Sequence, residues 1–240
     1  MHEDVVAPAG LRVTILGANG PTGRLLTEQA LAAKCDVVAL TRSPKEFPIA
    51  HPNLVVAGGD VLDPTAVDTV VDGSDAVLSV LGTPFTKGKV EVYSEGGRNT
   101  LDAMKRFGTT RLVVVTSGAV TDRPEPTGGF LFNRVLQPYV TRVIGKTVYD
   151  DMRRLEDLVA ASDVDWTVLR PSGLFELPRV TDYSLTEEHG PGRFTSRRDL
   201  AAAMLQQVSD DRFVRKVAHV ITTADNPNML SLIWREARKK

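Results

Sequence analysis

The sequence predicts an α/β fold, a doubly wound parallel sheet with helices on both faces. Three observations predict it. Apolar runs of strand length alternate with helical stretches along most of the chain. The first run passes through a glycine turn, Gly17-Ala18-Asn19-Gly20-Pro21-Thr22-Gly23, straight into an amphipathic helix. The 240 residues, 42% of them apolar, are enough for the core of one large α/β domain.

Each element has a local reason. Leu11–Leu16 is an apolar first strand, and Leu25, Leu26, Gln29, Ala30 and Ala33 mark the helix after the turn. Gly17 allows a tight backbone turn, Gly20 lets a phosphate approach, and Gly23 lets helix and strand lie close. The first-turn N–H groups of that helix form an anion site, which predicts nucleotide binding. Cys35–Thr41 is strand two, and Pro44 and Pro48 keep the following stretch out of a helix. Leu54–Ala57 is strand three; Asp63 caps the next helix, with Pro64 at its first position.

Asp75–Leu81 is strand four, ending in Gly82 and Thr83. Val92–Phe107 reads as a helix despite Gly96 and Gly97, and Gly108 is placed to end it. Arg111–Thr116 is strand five, followed by Ser117. The stretch 121–129 reads as loop, 131–161 as mostly helical with a break near Pro138, and Trp166–Leu169 as strand six. Pro178–Phe194 is expected to be an irregular, polar flap on the substrate side. Ser196 caps a helix reaching Val208, Val217–Thr222 is a late strand, and Met229–Arg238 a last helix.

Composition narrows the function. A net charge of −1 without a sustained basic stretch before the tail gives no sign of nucleic-acid binding. No apolar run is long enough to span a bilayer, and the acidic start lacks a secretory signal, so a cytoplasmic protein is expected. The lone Cys35 fits a reducing compartment and a core position. His2, His51, His189 and His219 lack metal-ligand spacing and read as scattered loop or surface residues, so no metal site is expected.

Ligands on such sheets bind outside the carboxyl ends of the strands, so the residues that follow the strands carry the function. An NAD site usually places Asp or Glu after strand two; here the strand ends in Thr41-Arg42-Ser43. Arg42 offers a planar cationic fork for a phosphate, and Arg24 adds a second charge. Both favour NADP (NADPH) over NAD. Asp60 is expected to meet the adenine amino group, with Val61 against the ring.

Together these pieces resemble the extended and atypical short-chain dehydrogenase/reductase superfamily. The likeness is strongest to small NAD(P)H-binding proteins of the biliverdin reductase B (flavin reductase) and NmrA-like types. It is carried by GANGPTG at 17–23, TRS at 41–43, GDVLD at 59–63, SVLGT at 79–83, VVVTSGA at 113–119, DWTVLRPSGLF at 165–175 and SRRDLAAAML at 196–205. The resemblance implies one Rossmann-like domain, with residues 11–171 mainly cofactor-binding and 172–240 mainly a small substrate lobe. It implies that Leu81, Gly82 and Thr83 lie along the cofactor, and that Pro171, Ser172, Gly173, Leu174 and Phe175 border the nicotinamide. Thr116 joins them at the end of strand five.

Such reductases use a Ser after strand five and a Tyr-x-x-x-Lys pair on a helix. Ser117 and Tyr149 take the catalytic positions, but Arg153 stands where the Lys is expected. Lys146, three residues before Tyr149, shares its helix face and is a possible substitute. Tyr149 also reads as a packed residue of an amphipathic helix, and Ser117 as a strand-end hydroxyl. Phe130, Phe132, Tyr139, Phe175 and Tyr183 read either as the wall of an apolar pocket or as core. The expected activity is NADPH-dependent hydride transfer to a small planar or carbonyl-bearing substrate, such as a flavin, quinone or tetrapyrrole, by a monomer or homodimer. The alternatives are a non-catalytic NADP(H)-sensing regulator and a nucleotide-sugar epimerase or dehydratase.

Overall fold

The computed structural model describes residues 10–86, 88–121 and 145–224. The expectations for 122–144, including Phe130, Phe132, Tyr139 and the break near Pro138, lie outside these residues, as does the last helix at 229–238.

The described elements are β1 (Arg12–Leu16), α1 (Pro21–Ala32), β2 (Asp36–Thr41), β3 (Leu54–Gly58), α2 (Pro64–Val71), β4 (Ala76–Ser79), α3 (Ser94–Phe107), β5 (Arg111–Val115), α4 (Lys146–Ala160), β6 (Asp165–Pro171), β7 (Gly173–Phe175), β8 (Tyr183–Thr186), β9 (Phe194–Ser196), α5 (Arg197–Gln206) and β10 (Lys216–Thr222). The main sheet has eight strands in the order β3-β2-β1-β4-β5-β6-β10-β8. All its pairings are parallel except β10–β8. The order reverses between β1 and β4, and this switch point opens a crevice at the strands' carboxyl ends.

Side chains on alternate strand positions divide the core into two layers. Val13, Ile15, Val113 and Leu169 face α1 and α5, where Leu26, Leu200 and Met204 are fully buried. Leu16, Val114, Trp166 and Val168 face α2, α3 and α4. Gly97 is what lets α3 approach α4: a Cβ there would stand 2.3 Å from Leu155 Cδ1.

The local signals read from the sequence act as expected. Asp63 accepts from Thr65 N at 3.0 Å, with Pro64 opening α2. Ser196 Oγ accepts from Asp199 N at 3.1 Å, and Gly108 ends α3 in the left-handed conformation.

The segment 178–194 differs from expectation. It is not wholly irregular: Tyr183–Thr186 forms β8, an antiparallel edge strand in register with Thr222–His219. Tyr183 and Leu185, on alternate positions, pack against the α1/α5 layer. The short period-two stretch Tyr-Ser-Leu-Thr was masked by its polar neighbours. Among the described residues, no helix is long and apolar enough to cross a membrane.

Candidate functional site

The glycine turn is built by sterics. Gly17 has φ +82°, and a Cβ on it would stand 2.7 Å from the Val80 carbonyl oxygen. Gly23 lies under the helix, where a Cβ would meet Gly17 O at 2.3 Å. A Cβ at Gly20 would meet only Gly17 O, at 3.3 Å, so the turn is open on its outer side. Gly20 is also the N-cap of α1; it provides no side-chain cap, and the first turn carries no acid. The helix therefore presents uncapped N–H groups and its positive pole to the crevice.

A groove of about 630 Å³ runs along the carboxyl ends of the central strands. Of the expected cofactor residues, Gly17, Asn19, Gly20, Pro21, Thr22, Arg42, Asp60, Val61, Leu81, Gly82, Thr83, Thr116 and Leu174 all line it. These positions are far apart in sequence and meet because parallel strands place their carboxyl ends on one side. Gly23, Arg24 and Pro171 stand off the lining. Gly23 and Pro171 are buried in the frame. Arg24 Nε donates to Asn19 Oδ1 at 2.9 Å, so its guanidinium braces the turn. Asp60 Oδ1 accepts from Leu62 N at 3.0 Å, which holds the carboxylate in its own loop.

Arg42, exposed at the end of β2, makes no hydrogen bond or ion pair among the described residues. Lining residues that the sequence did not point to include Tyr93, Met152 and Arg197. Tyr93 is buried at the start of α3 and lines the groove together with Thr83 of the loop after β4, whose backbone acts on its phenol. Burial pushes its phenol up to about 12. Met152 reaches the groove from α4 and Arg197 from α5. Arg197 lies in the quoted segment SRRDLAAAML, but helix spacing gave no sign that its side chain faces the glycine turn.

Ser117 and Tyr149 are brought together, near enough for the Ser117 side chain to act on the Tyr149 phenol. Tyr149 is 8% exposed, and its ring tilts against Phe85 at 5.9 Å between centroids. Burial raises its phenol pKa, opposed by the neighbouring Ser117 side chain. The two neighbouring cations are engaged elsewhere. Arg153 donates from Nε to Val120 O at 3.0 Å and from Nη1 to Asp150 at 2.7 Å, while Lys146 Nζ bonds Asp150 at 2.6 Å. Thr116 Oγ1 donates to Glu156 at 2.6 Å, and Glu156 also pairs with Arg170.

Of the histidines expected on loops or the surface, His219 is instead buried on β10, while His189 lies half-buried in the loop after β8. His189 and His219 meet edge to face, centroids 5.1 Å apart, and His189 Nε2 lies 3.2 Å from Ser172 Oγ. Chain folding pairs β8, β10 and the end of β6, a juxtaposition invisible in spacing. Burial, His189 and Arg170 lower the His219 pKa to about 4. Among the described residues, no group of three or more His, Cys, Asp or Glu side chains is arranged to hold a metal ion.

This crossover, with its glycine turn and cationic crevice, is a nucleotide-binding α/β architecture. The family model described as NAD(P)H-binding matches residues 17–211, and the chain belongs to that family. An uncharacterized protein of Mycobacterium tuberculosis is 28% identical over 209 residues, 80% of this chain and 23% of the relative. The chain thus spans about a quarter of the length of such relatives. Photosystem II assembly factor Ycf39 of Synechocystis is 21% identical over 88% of this chain and 62% of its own length. Among solved structures, a short-chain dehydrogenase/reductase of Veillonella parvula in complex with NADP superposes with a TM-score of 0.75 at 20% identity, over 91% of this chain and 99% of that one. ChuY, an anaerobillin reductase of Escherichia coli, gives 0.70 at 19% identity, over 90% and 100%.

Proposed function

We propose that the protein is an NADPH-dependent reductase of a small planar or carbonyl-bearing substrate. The observation that carries the cofactor half of this reading is the corner after β2. It holds no acid for a ribose hydroxyl pair and instead the guanidinium of Arg42, which has no partner among the described residues. The residues present fit a dinucleotide: the turn is open at Gly20, α1 is uncapped, and thirteen of the expected positions share one groove. Gly20 and Thr22 would hold the phosphates, Arg42 the 2′-phosphate, and Leu81–Thr83, Thr116 and Leu174 the remainder. When bound, the nicotinamide supplies a hydride.

The chain's own work is then alignment and exclusion of water. Tyr93 lines the groove beside the Thr83 loop, and Leu174 and Met152 wall it. The Ser117–Tyr149 pair offers a hydroxyl to a substrate oxygen. With no cation among the described residues shifting it and its pKa raised, Tyr149 is a weak acid, which suits acceptors that take their proton from solvent. Titration calorimetry tests the reading, with tighter binding of NADPH than NADH expected. Turnover of NADPH over a panel of quinones, flavins, tetrapyrroles and carbonyls should follow. No binding, or binding without turnover of any acceptor, would sink the reductase.

One observation favours a second reading, an NADP(H)-sensing regulator: both candidate replacements for the missing Lys bond to Asp150. Equal, tight binding of both redox forms with no turnover would select it.

A further inference from the structure

Arg197 opens α5, in the part of the chain that follows the cofactor-binding strands, yet its Nη1 donates to Thr22 Oγ1 at 3.2 Å in the first turn of α1. The two residues are 175 positions apart. Helices α1 and α5 pack side by side on one face of the sheet, which fixes this approach. Arg197 is half-buried and lines the groove with Gly17, Asn19, Gly20 and Thr22. It has no carboxylate partner among the described residues: Glu28 pairs with Arg198 at 3.8 Å, and Asp199 accepts from Thr181 and Thr222 on the far side.

A guanidinium has five N–H donors, and the Thr22 hydroxyl takes one of them. A half-buried cation with unspent donors and no counter-charge carries a desolvation cost that an anion offsets. The other groups at this point, the uncapped N–H groups of α1, are of the same polarity.

We propose that Arg197 is a cofactor-binding residue that clamps the pyrophosphate of the dinucleotide against the N-terminus of α1, and so ties α5 to the loaded cofactor. This deepens the NADPH reading above and divides the labour between two arginines. Arg42 reads the 2′-phosphate, and Arg197 holds the diphosphate common to both dinucleotides.

Calorimetric titration of purified full-length wild type, R197M, R197K and R42A with NADPH, NADH and adenosine 2′-monophosphate tests this. R197M should weaken NADPH and NADH alike, by about 10- to 100-fold, and leave adenosine 2′-monophosphate within about twofold. R197K should restore part of the loss, because a point charge replaces the fork. R42A should do the reverse, weakening NADPH and the 2′-monophosphate and sparing NADH. Unchanged dinucleotide affinity in R197M and R197K, or equal loss for all three ligands, overturns the clamp. If R197M does not fold, R197K decides alone, by whether its loss is confined to the dinucleotides. A wild type that binds both dinucleotides equally, with R197M weakening both, would refute the NADPH preference and leave the clamp standing.

Discussion

Gly17 shows how much a single residue decides here. Its positive φ costs a residue with a side chain about 1–2 kcal/mol, and a Cβ 2.7 Å from the Val80 carbonyl adds a clash with backbone. Gly17→Ala should therefore lose at least about 2 kcal/mol of stability, read by chemical denaturation. Gly20→Ala, with only one contact at 3.3 Å, should fold nearly as wild type and lose cofactor affinity instead. Tyr149 is the residue on which mechanism turns. If its hydroxyl delivers the proton, Tyr149→Phe should cost about 10²–10⁴ in kcat. The raised pKa and the engagement of Arg153 and Lys146 with Asp150 favour a loss under tenfold with a flavin or quinone. Rates under saturating NADPH separate the two.

At the scale of elements, helix ends divide into those legible in sequence and those that were not. Asp63 and Ser196 cap their own helices across two and three residues, so local pattern reveals them. The start of α3 has no such cap. Its N–H groups at Tyr93 and Ser94 are taken by Asp151, fully buried on α4 and 57 residues or more away. The Ser94 hydroxyl donates to the same carboxylate, and Arg154 pairs with it from outside. Spacing cannot reveal a cap lent by another helix. Asp151→Ala should cost about 2–3 kcal/mol, since it strands buried donors of a charged hydrogen-bond group. Asp151→Asn should cost less. Because Tyr93 also lines the groove beside Thr83, the alanine variant should weaken cofactor binding as well, measurable by calorimetry.

For the whole molecule, burial of His219 at the β6–β10–β8 junction couples the fold to pH. It is 6% exposed, and its pKa is lowered from 6.5 to about 4 by burial, His189 and Arg170. The folded state holds it neutral, so the unfolded chain binds the proton first. The stabilisation is complete above pH 6.5 and is lost as pH falls toward 4, by up to roughly 3 kcal/mol. The difference in unfolding free energy between wild type and His219→Gln should shrink across that window. A difference independent of pH would show that His219 is not held neutral.

Strands β1–β6 and β10, the glycine turn, the caps at Asp63 and Ser196 and the missing acid after β2 were determined by the sequence alone. Each depends on residues within a few positions of one another, where backbone geometry and periodicity act. Tertiary structure alone decided which cations face the groove. Arg24 turned to Asn19, while Arg197 arrived from the far end of the chain through the packing of α1 on α5. It likewise decided the His189–His219 contact and the edge strand β8, because sheet pairing between distant segments leaves no local period to read.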